Sequence, residues 1–130
     1  VIKRKGKAGS RTSRRRKQRK ASMRQADKAF STYIKDRDGW ACRHCGRVAV
    51  VMQCAHLVSR RYRAVRWSPD NAVALCAPCH VRYTFRPLEW ELWIEEHFPG
   101  RLAYLKASAL VGVAHVDYGE VLEQIRSFRL

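Results

Sequence analysis

The chain has 130 residues, room for one small domain and a tail. It carries 27 Lys+Arg against 11 Asp+Glu, a formal net charge of +16. That field suits DNA or RNA and ranks an anionic membrane surface behind them. No apolar run is long enough to span a bilayer. The basic start is not followed by the apolar stretch and cleavage site of a secretory signal. The expectation is therefore a cytoplasmic chain with no membrane partner, whose five cysteines stay reduced and favour metal over disulfides. A core this small is marginal, so a metal clip would add stability.

Most of the charge lies at the start. Residues 1–28 hold 13 Lys/Arg and one acid, Asp27, leaving 14 Lys/Arg and 10 acids for the rest. Residues 1–21 have almost nothing apolar to bury and are expected to be a disordered basic arm. Arg14, Arg15, Arg16, Lys17, Arg19 and Lys20 would grip phosphates there, with salt-sensitive affinity and no sequence preference.

A helix is predicted from about Ser22, a plausible N-cap, to Asp36. Ala26, Ala29, Phe30, Tyr33 and Ile34 recur at three- and four-residue intervals and make one apolar face. Asp38-Gly39 marks a turn. Cys42-Arg-His-Cys45-Gly46 then reads as a metal knuckle, two thiolates on a tight turn, and Cys76-Ala-Pro-Cys79 supplies a second pair. Four thiolates complete a tetrahedral structural Zn2+ site. The rival reading, a redox pair, lacks the surrounding βαβ pattern. His44, inside the knuckle, is expected at the surface.

Val48–Met52 is a β-branched apolar run, and residues 54–58 continue it as a strand carrying His56. Cys54 is expected to be a small buried hydrophobe. The loop SRRYRAVRWSP follows, with no acid between Asp38 and Asp70. Its Arg60, Arg61, Arg63 and Arg66, interleaved with Tyr62 and Trp67, suit phosphate contact and base stacking. Trp67 by itself reads better as a buried side chain.

Asp70-Asn71 turns the chain into a short strand, Ala72–Leu75. Pro78 fits the first turn of a helix starting just after Cys76, with His80 in that turn. The result is a β-hairpin on a helix. Pro87 ends that helix, and a second one carries Leu88 to Phe98, with Trp90, Trp93 and Phe98 as core. Leu102, Leu105, Leu110 and Val111 suggest another. Asp117 caps a last helix with Val121, Leu122, Ile125 and Phe128 on one face.

Phosphodiester hydrolysis requires a base for the attacking water and a divalent ion for the charge on phosphorus and the leaving oxygen. A neutral imidazole serves as base near neutral pH, and an amide can hold it in place. His56, His80 and Asn71 would fill these roles if hairpin and helix pack as read.

These residues resemble a known family. The series AHLVSR, DN, LCAPCH, with AVALCAPC between Asn71 and His80 and two Cys-x-x-Cys pairs around it, is similar to the HNH endonuclease motif on the ββα-metal fold. F-x-x-Y-I-K-x-R-D before the knuckle, then QCAH-x-x-x-R, R-W-x-x-D-N and C-x-x-C-H, resemble phage recombination nucleases of the NinG/Rap type over roughly residues 30–130. The resemblance implies DNA cleavage at branched recombination intermediates such as Holliday junctions or D-loops. It makes His56 the general base, Asn71 its orienting partner and His80 a ligand of catalytic Mg2+ or Mn2+. It implies products with 3′-hydroxyl and 5′-phosphate ends, and the cytoplasm of a bacterial host if the chain is phage-encoded. One departure stands out. Many HNH sites carry Asp or His immediately before the base as a second metal ligand, and this chain has Ala55. Asp70 is a substitute donor to consider, and Arg60 a direct neutraliser of phosphate charge.

The expectation is an α+β chain: a small zinc-stapled ββα-metal core with flanking helices. It divides into a basic arm over 1–21, a helix plus nuclease core over 22–86 and helical support over 87–130. A homodimer would most simply supply two active sites at a junction. The rival function is a non-catalytic zinc-binding nucleic-acid module, in which Ala55 signals a lost site. A ribosomal-type RNA binder would explain the arm but not His56 and Asn71.

Overall fold

The computed structural model describes the backbone of residues 11–130 and the side chains of residues 23–130. The elements are α1 (Arg11–Arg37), β1 (Gln53–His56), a 3-10 turn (Pro69–Asn71), β2 (Ala72–Leu75), α2 (Ala77–Phe85), α3 (Pro87–His97), α4 (Arg101–Ala109) and α5 (Tyr118–Ser127). This is an α+β fold built on a two-stranded sheet with five helices. None of its helices, over the described residues, is long and apolar enough to cross a membrane.

The strands pair antiparallel from Gln53 opposite Leu75 to His56 opposite Ala72. β2 is buried along its whole length, as a strand covered on both faces must be. One face of the hairpin packs with Leu75, Tyr83, Trp93, Ile94 and Leu105 in the larger core. The other joins Phe30, Ile34 and Ile125 in a second cluster, so α1 and α5 cover one side of the sheet while α2, α3 and α4 cover the other. Ala26, Phe30 and Ile34, each at most 1% exposed, are the apolar stripe of α1. Trp93 is buried, while Trp90 and Phe98 pack partly buried beside it. Asp117 caps α5 as expected, its Oδ1 accepting from the backbone N–H of Gly119 and Glu120 at 2.9 and 3.2 Å.

The end of α1 is sewn to the sheet. Arg37 donates to the carbonyls of Pro69 and Ala72 at 2.6 and 2.8 Å, and the buried Asp38 carboxylate accepts from the Ala74 N–H at 2.8 Å. The Arg43 N–H donates to the Ala74 carbonyl at 2.9 Å. The outer edge of β2 is therefore closed by the knuckle.

Four boundaries differ from the sequence reading. α1 begins at Arg11 rather than near Ser22, so the backbone of 11–21 is helical where a disordered arm was expected; residues 1–10 lie outside the described residues. Arg, Lys, Gln and Ala are good helix formers, and a helix already docked by its apolar stripe propagates into them at little cost. The Val48–Met52 run is not a strand. Val48 makes only an isolated bridge to Ala41, and Val48, Val50 and Val51 are 73, 91 and 67% exposed, because in the register of the hairpin they would face the residues after Leu75, which turn into α2. β1 stops at His56 rather than Val58, since the Val58 N–H turns to the Asn71 side chain. Leu110 and Val111 fall beyond α4 and are exposed.

Candidate active site and metal centre

Two structures meet at the start of α2. The first is the cysteine cluster. The knuckle turns through Gly46, whose φ of 78° a side chain would strain, and the Gly46 N–H closes it on the Cys42 carbonyl at 2.8 Å. Cys76 is the N-cap of α2 and Cys79 lies in its first turn. The four Sγ atoms of Cys42, Cys45, Cys76 and Cys79 all lie within 4.8 Å of one another. The Cys45 and Cys76 sulfurs are 3.7 Å apart. A tetrahedron with metal–sulfur bonds of about 2.3 Å has edges of about 3.8 Å, so the cluster fits a structural metal ion such as zinc. His44 is exposed, as expected, but not idle: its Nδ1 lies 3.3 Å from Cys79 Sγ and its ring meets Tyr83 edge-on.

The second structure is a cleft of about 860 Å³ between α1, β1 and α2, lined by Asp27, Gln53, His56, Ser59, Arg60 and His80 among others. His56, at the end of β1, is half-buried with its ring 5.6 Å from that of Phe30. Its Nε2 donates to the main-chain oxygen of Arg66 at 3.0 Å. A neutral imidazole donating through Nε2 has Nδ1 as its basic nitrogen. Burial first, then the charges of Arg60 and Arg66, hold the His56 pKa below its usual value against the opposing hydrogen bond to the Arg66 carbonyl. The imidazole is therefore neutral at pH 7.

Asn71 is fully buried and does not touch His56. Its Oδ1 accepts from the Val58 N–H at 2.8 Å, and its Nδ2 donates to the carbonyls of Val58 and Val65, each at 3.0 Å. It thereby clasps both ends of the loop whose next residue, Arg66, holds the imidazole. The side-chain hydrogen bond to the imidazole expected from sequence is not formed; the link from Asn71 to His56 runs through the backbone of the loop.

His80 lines the same cleft from α2. Its Nδ1 donates to Gln53 Oε1 at 2.5 Å, which leaves Nε2 as the free nitrogen. Burial lowers its pKa too. Ala55 is 2% exposed in the core, so nothing at that position reaches the cleft. Asp70 does not replace it: it pairs with Arg101 at 3.8 Å beside a separate cavity that includes Arg37 and Arg43.

Asp27 is the residue the sequence reading passed over. Oδ1 accepts from Arg66 Nε and Trp67 Nε1, both at 3.0 Å, and Oδ2 accepts from Arg66 Nη2 at 2.6 Å. Burial pushes this carboxyl up, but the Arg66 and Trp67 hydrogen bonds and the Arg66 and Arg60 charges outweigh it and hold the pKa below the ordinary value. Its signal in sequence was its isolation, one acid among the 13 bases of residues 1–28. Arg66, read as a phosphate contact, instead spends its guanidinium inside: besides Asp27 it donates from Nη1 to the Arg60 carbonyl at 3.2 Å. Arg60, Arg61 and Arg63 are exposed. The side chains of Arg14, Arg15, Arg16, Lys17, Arg19 and Lys20 lie outside the described ones. Trp67 is partly buried against the Phe30 cluster, as read.

Among the described residues the four cysteines are the one group of three or more His, Cys, Asp or Glu with donor atoms close enough to share an ion. Compared with known proteins, the chain matches no family model, no curated protein and no solved structure.

Proposed function

We propose that this chain is a metal-dependent DNA endonuclease of the HNH type, hydrolysing phosphodiester bonds in branched recombination intermediates. The observation that carries the reading is the tautomer fixed on His56: Nε2 donates to the Arg66 carbonyl, so a basic Nδ1 remains on a neutral ring beside an open cleft. That is the state a general base needs before the substrate arrives.

In this reading a water in the cleft gives its proton to His56 Nδ1 as its oxygen attacks phosphorus, the P–O3′ bond breaks, and the departing 3′-oxygen takes a proton from solvent. Asn71 keeps the loop, and so the imidazole, from wandering, which preserves the geometry in-line attack demands. Arg60, at the cleft wall, neutralises phosphate charge. His80, oriented by Gln53, offers Nε2 to a divalent ion, Mg2+ or Mn2+. Such an ion, when bound, supplies charge stabilisation for the phosphoryl and leaving oxygens. With Ala55 in the core and Asp27 taken by Arg66, His80 is the protein donor the cleft offers, and waters and substrate phosphates would complete the shell, as Mg2+ tolerates. Cys42, Cys45, Cys76 and Cys79 would hold a zinc ion that fastens the start of α2, and with it His80, to the knuckle.

The partner is DNA, gripped by the basic residues of 1–21 and by Arg60, Arg61 and Arg63. A homodimer would deliver two cuts to a junction. A host-cell cytoplasm is the matching compartment for such a phage-type enzyme.

A second reading is favoured by one observation. The buried Ala55 leaves the cleft one metal donor short, which suits a zinc-stabilised nucleic-acid binder without catalysis. Labelled four-way-junction and linear duplex DNA, incubated with the protein and Mg2+ or Mn2+, separate the two. Metal-dependent products ending in 5′-phosphate support the nuclease, and faster cutting of the junction supports the branched substrate. Binding without cutting under either ion assigns the non-catalytic module.

A further inference from the structure

We infer that Asp27 is a positioning residue for the imidazole of His56, acting from α1 through Arg66. This rests on the nuclease reading for its catalytic meaning, but the orientation it describes is measurable without catalysis.

The argument is a chain of contacts. Arg66 contributes two groups. Its main-chain oxygen accepts the His56 Nε2–H at 3.0 Å. Its guanidinium meets Asp27 through two parallel bonds, from Nε at 3.0 Å and from Nη2 at 2.6 Å. A fork of this kind fixes orientation as well as distance. The next residue, Trp67, donates its indole N–H to the same carboxylate at 3.0 Å, so Asp27 holds two consecutive side chains. With both restrained, the peptide between them, which carries the Arg66 carbonyl, has little freedom to turn. Asn71 fixes the loop just before this point, through the Val65 carbonyl. Asp27 fixes it just after. The carbonyl that selects the His56 tautomer is pinned from both sides.

The same helix supports the ring directly. Phe30, three residues beyond Asp27 on α1, lies 5.6 Å from His56 between ring centroids. α1 thus contributes both a contact to the imidazole and the anchor of its hydrogen-bond acceptor. Docking of the basic helix and assembly of the base are one event.

Two simpler roles fit less well. As a metal ligand, Asp27 would compete with three donors already on its oxygens, and among the described residues it belongs to no group of three or more His, Cys, Asp or Glu placed to share an ion. As a phosphate contact, Arg66 would have to leave a partner that makes it 15% exposed along its side chain.

The test uses full-length zinc-loaded protein with Asp27→Asn, Arg66→Lys and the double variant. Asp27→Asn preserves shape and removes the charge. Arg66→Lys retains a cation for phosphate but cannot form the fork. Single-turnover cleavage is measured at saturating protein, with affinity for the same DNA by anisotropy and the His56 imidazole followed by nitrogen-edited NMR. Each single variant should slow cleavage by about 10- to 100-fold, with affinity unchanged. The double variant should be no slower than the slower single. The His56 Nε2–H signal should shift or broaden in all three. Wild-type cleavage rates, or tighter DNA binding by Asp27→Asn at an unchanged rate, would overturn the inference and make Arg66 a phosphate contact restrained by Asp27. If the unaltered protein cuts no DNA, the nuclease reading fails separately, and the NMR signal decides: unchanged in Asp27→Asn, it overturns the positioning role; altered, it supports it.

Discussion

His56 and Arg66 are joined by a single hydrogen bond, ring Nε2 to main-chain oxygen, 3.0 Å long. A backbone oxygen is a permanent acceptor that does not titrate. It therefore dictates that the neutral imidazole carries its proton on Nε2 and leaves Nδ1 as the basic nitrogen of a residue that lines the cleft.

That neutral state sets a pH dependence. Burial, followed by the Arg60 and Arg66 charges, lowers the His56 pKa. Single-turnover cleavage should rise with pH to a half-maximum below about 6.5, the ordinary value for histidine, and this limb should be flat between pH 7 and 8. The linkage to folding has a definite sign. A histidine whose folded pKa is depressed contributes stability that is full above the unfolded value and lost as pH falls through the folded one. The urea midpoint should thus fall on acidification below about pH 6.5. A limb centred above 7 would contradict the assignment.

Asn71 should be intolerant of change. Asn71→Ala leaves the Val58 N–H and carbonyl without a partner among the described residues, at about 1–3 kcal/mol for each group left unsatisfied, and takes from the Val65 carbonyl one of its two donors, the Ser68 N–H remaining. Asn71→Asp is expected to be no better, because a carboxylate oxygen would face two carbonyls where Nδ2 now donates. Urea denaturation of both variants checks this. Stability within about 0.5 kcal/mol of the unaltered protein, the range of a neutral surface change, would remove the clasp from the account.

The cysteine cluster should hold one zinc per chain and be required for the fold. Elemental analysis gives the stoichiometry. Chelation, or Cys79→Ser, should lower the melting temperature and loosen the start of α2, since metal affinity at such a site is folding free energy. A chain that retains its melting temperature without metal would count against a structural site.

Cys54 should behave unlike the other four cysteines. Burial pushes its thiol up to about 12, and thiolate is the reactive form. With metal bound, native protein at pH 8 should resist iodoacetamide at all five cysteines; after chelation the cluster cysteines should label well before Cys54. Mass mapping of the adducts reads the order; Cys54 is partly rather than fully buried, unlike the expectation from sequence, and its early labelling would contradict the raised thiol pKa.

What was legible in the sequence was local or periodic. The Cys-x-x-Cys spacing led directly to a cluster of four sulfurs within 4.8 Å. Pro78 and the short apolar Ala72–Leu75 run located α2 and β2 because turn chemistry and short apolar runs act over a few residues. The stripe of Ala26, Phe30 and Ile34 marked the buried face of α1. What was not legible depended on distant partners. Val48–Met52 reads as a strand, yet whether an apolar run pairs depends on what lies opposite it, and the partner strand ends at Leu75 where the chain turns into α2. Arg66 reads as one more loop arginine, because composition cannot tell a cation facing DNA from one facing Asp27, 39 residues away. Asn71 was found by its spacing, but its means of action, through the Val58 and Val65 backbone, required the folded loop.

The most direct test of the central claim is the single-turnover cleavage rate of His56→Ala on a labelled four-way junction with Mg2+ or Mn2+, with zinc content and DNA affinity measured on the same preparation. The account predicts that the unaltered protein cuts and that the variant, still zinc-loaded and still binding with similar affinity, loses cutting by at least about 100-fold, the scale of a general base. Equal cutting by both proteins would remove His56 from the chemistry, and binding without cutting by both would contradict the nuclease itself.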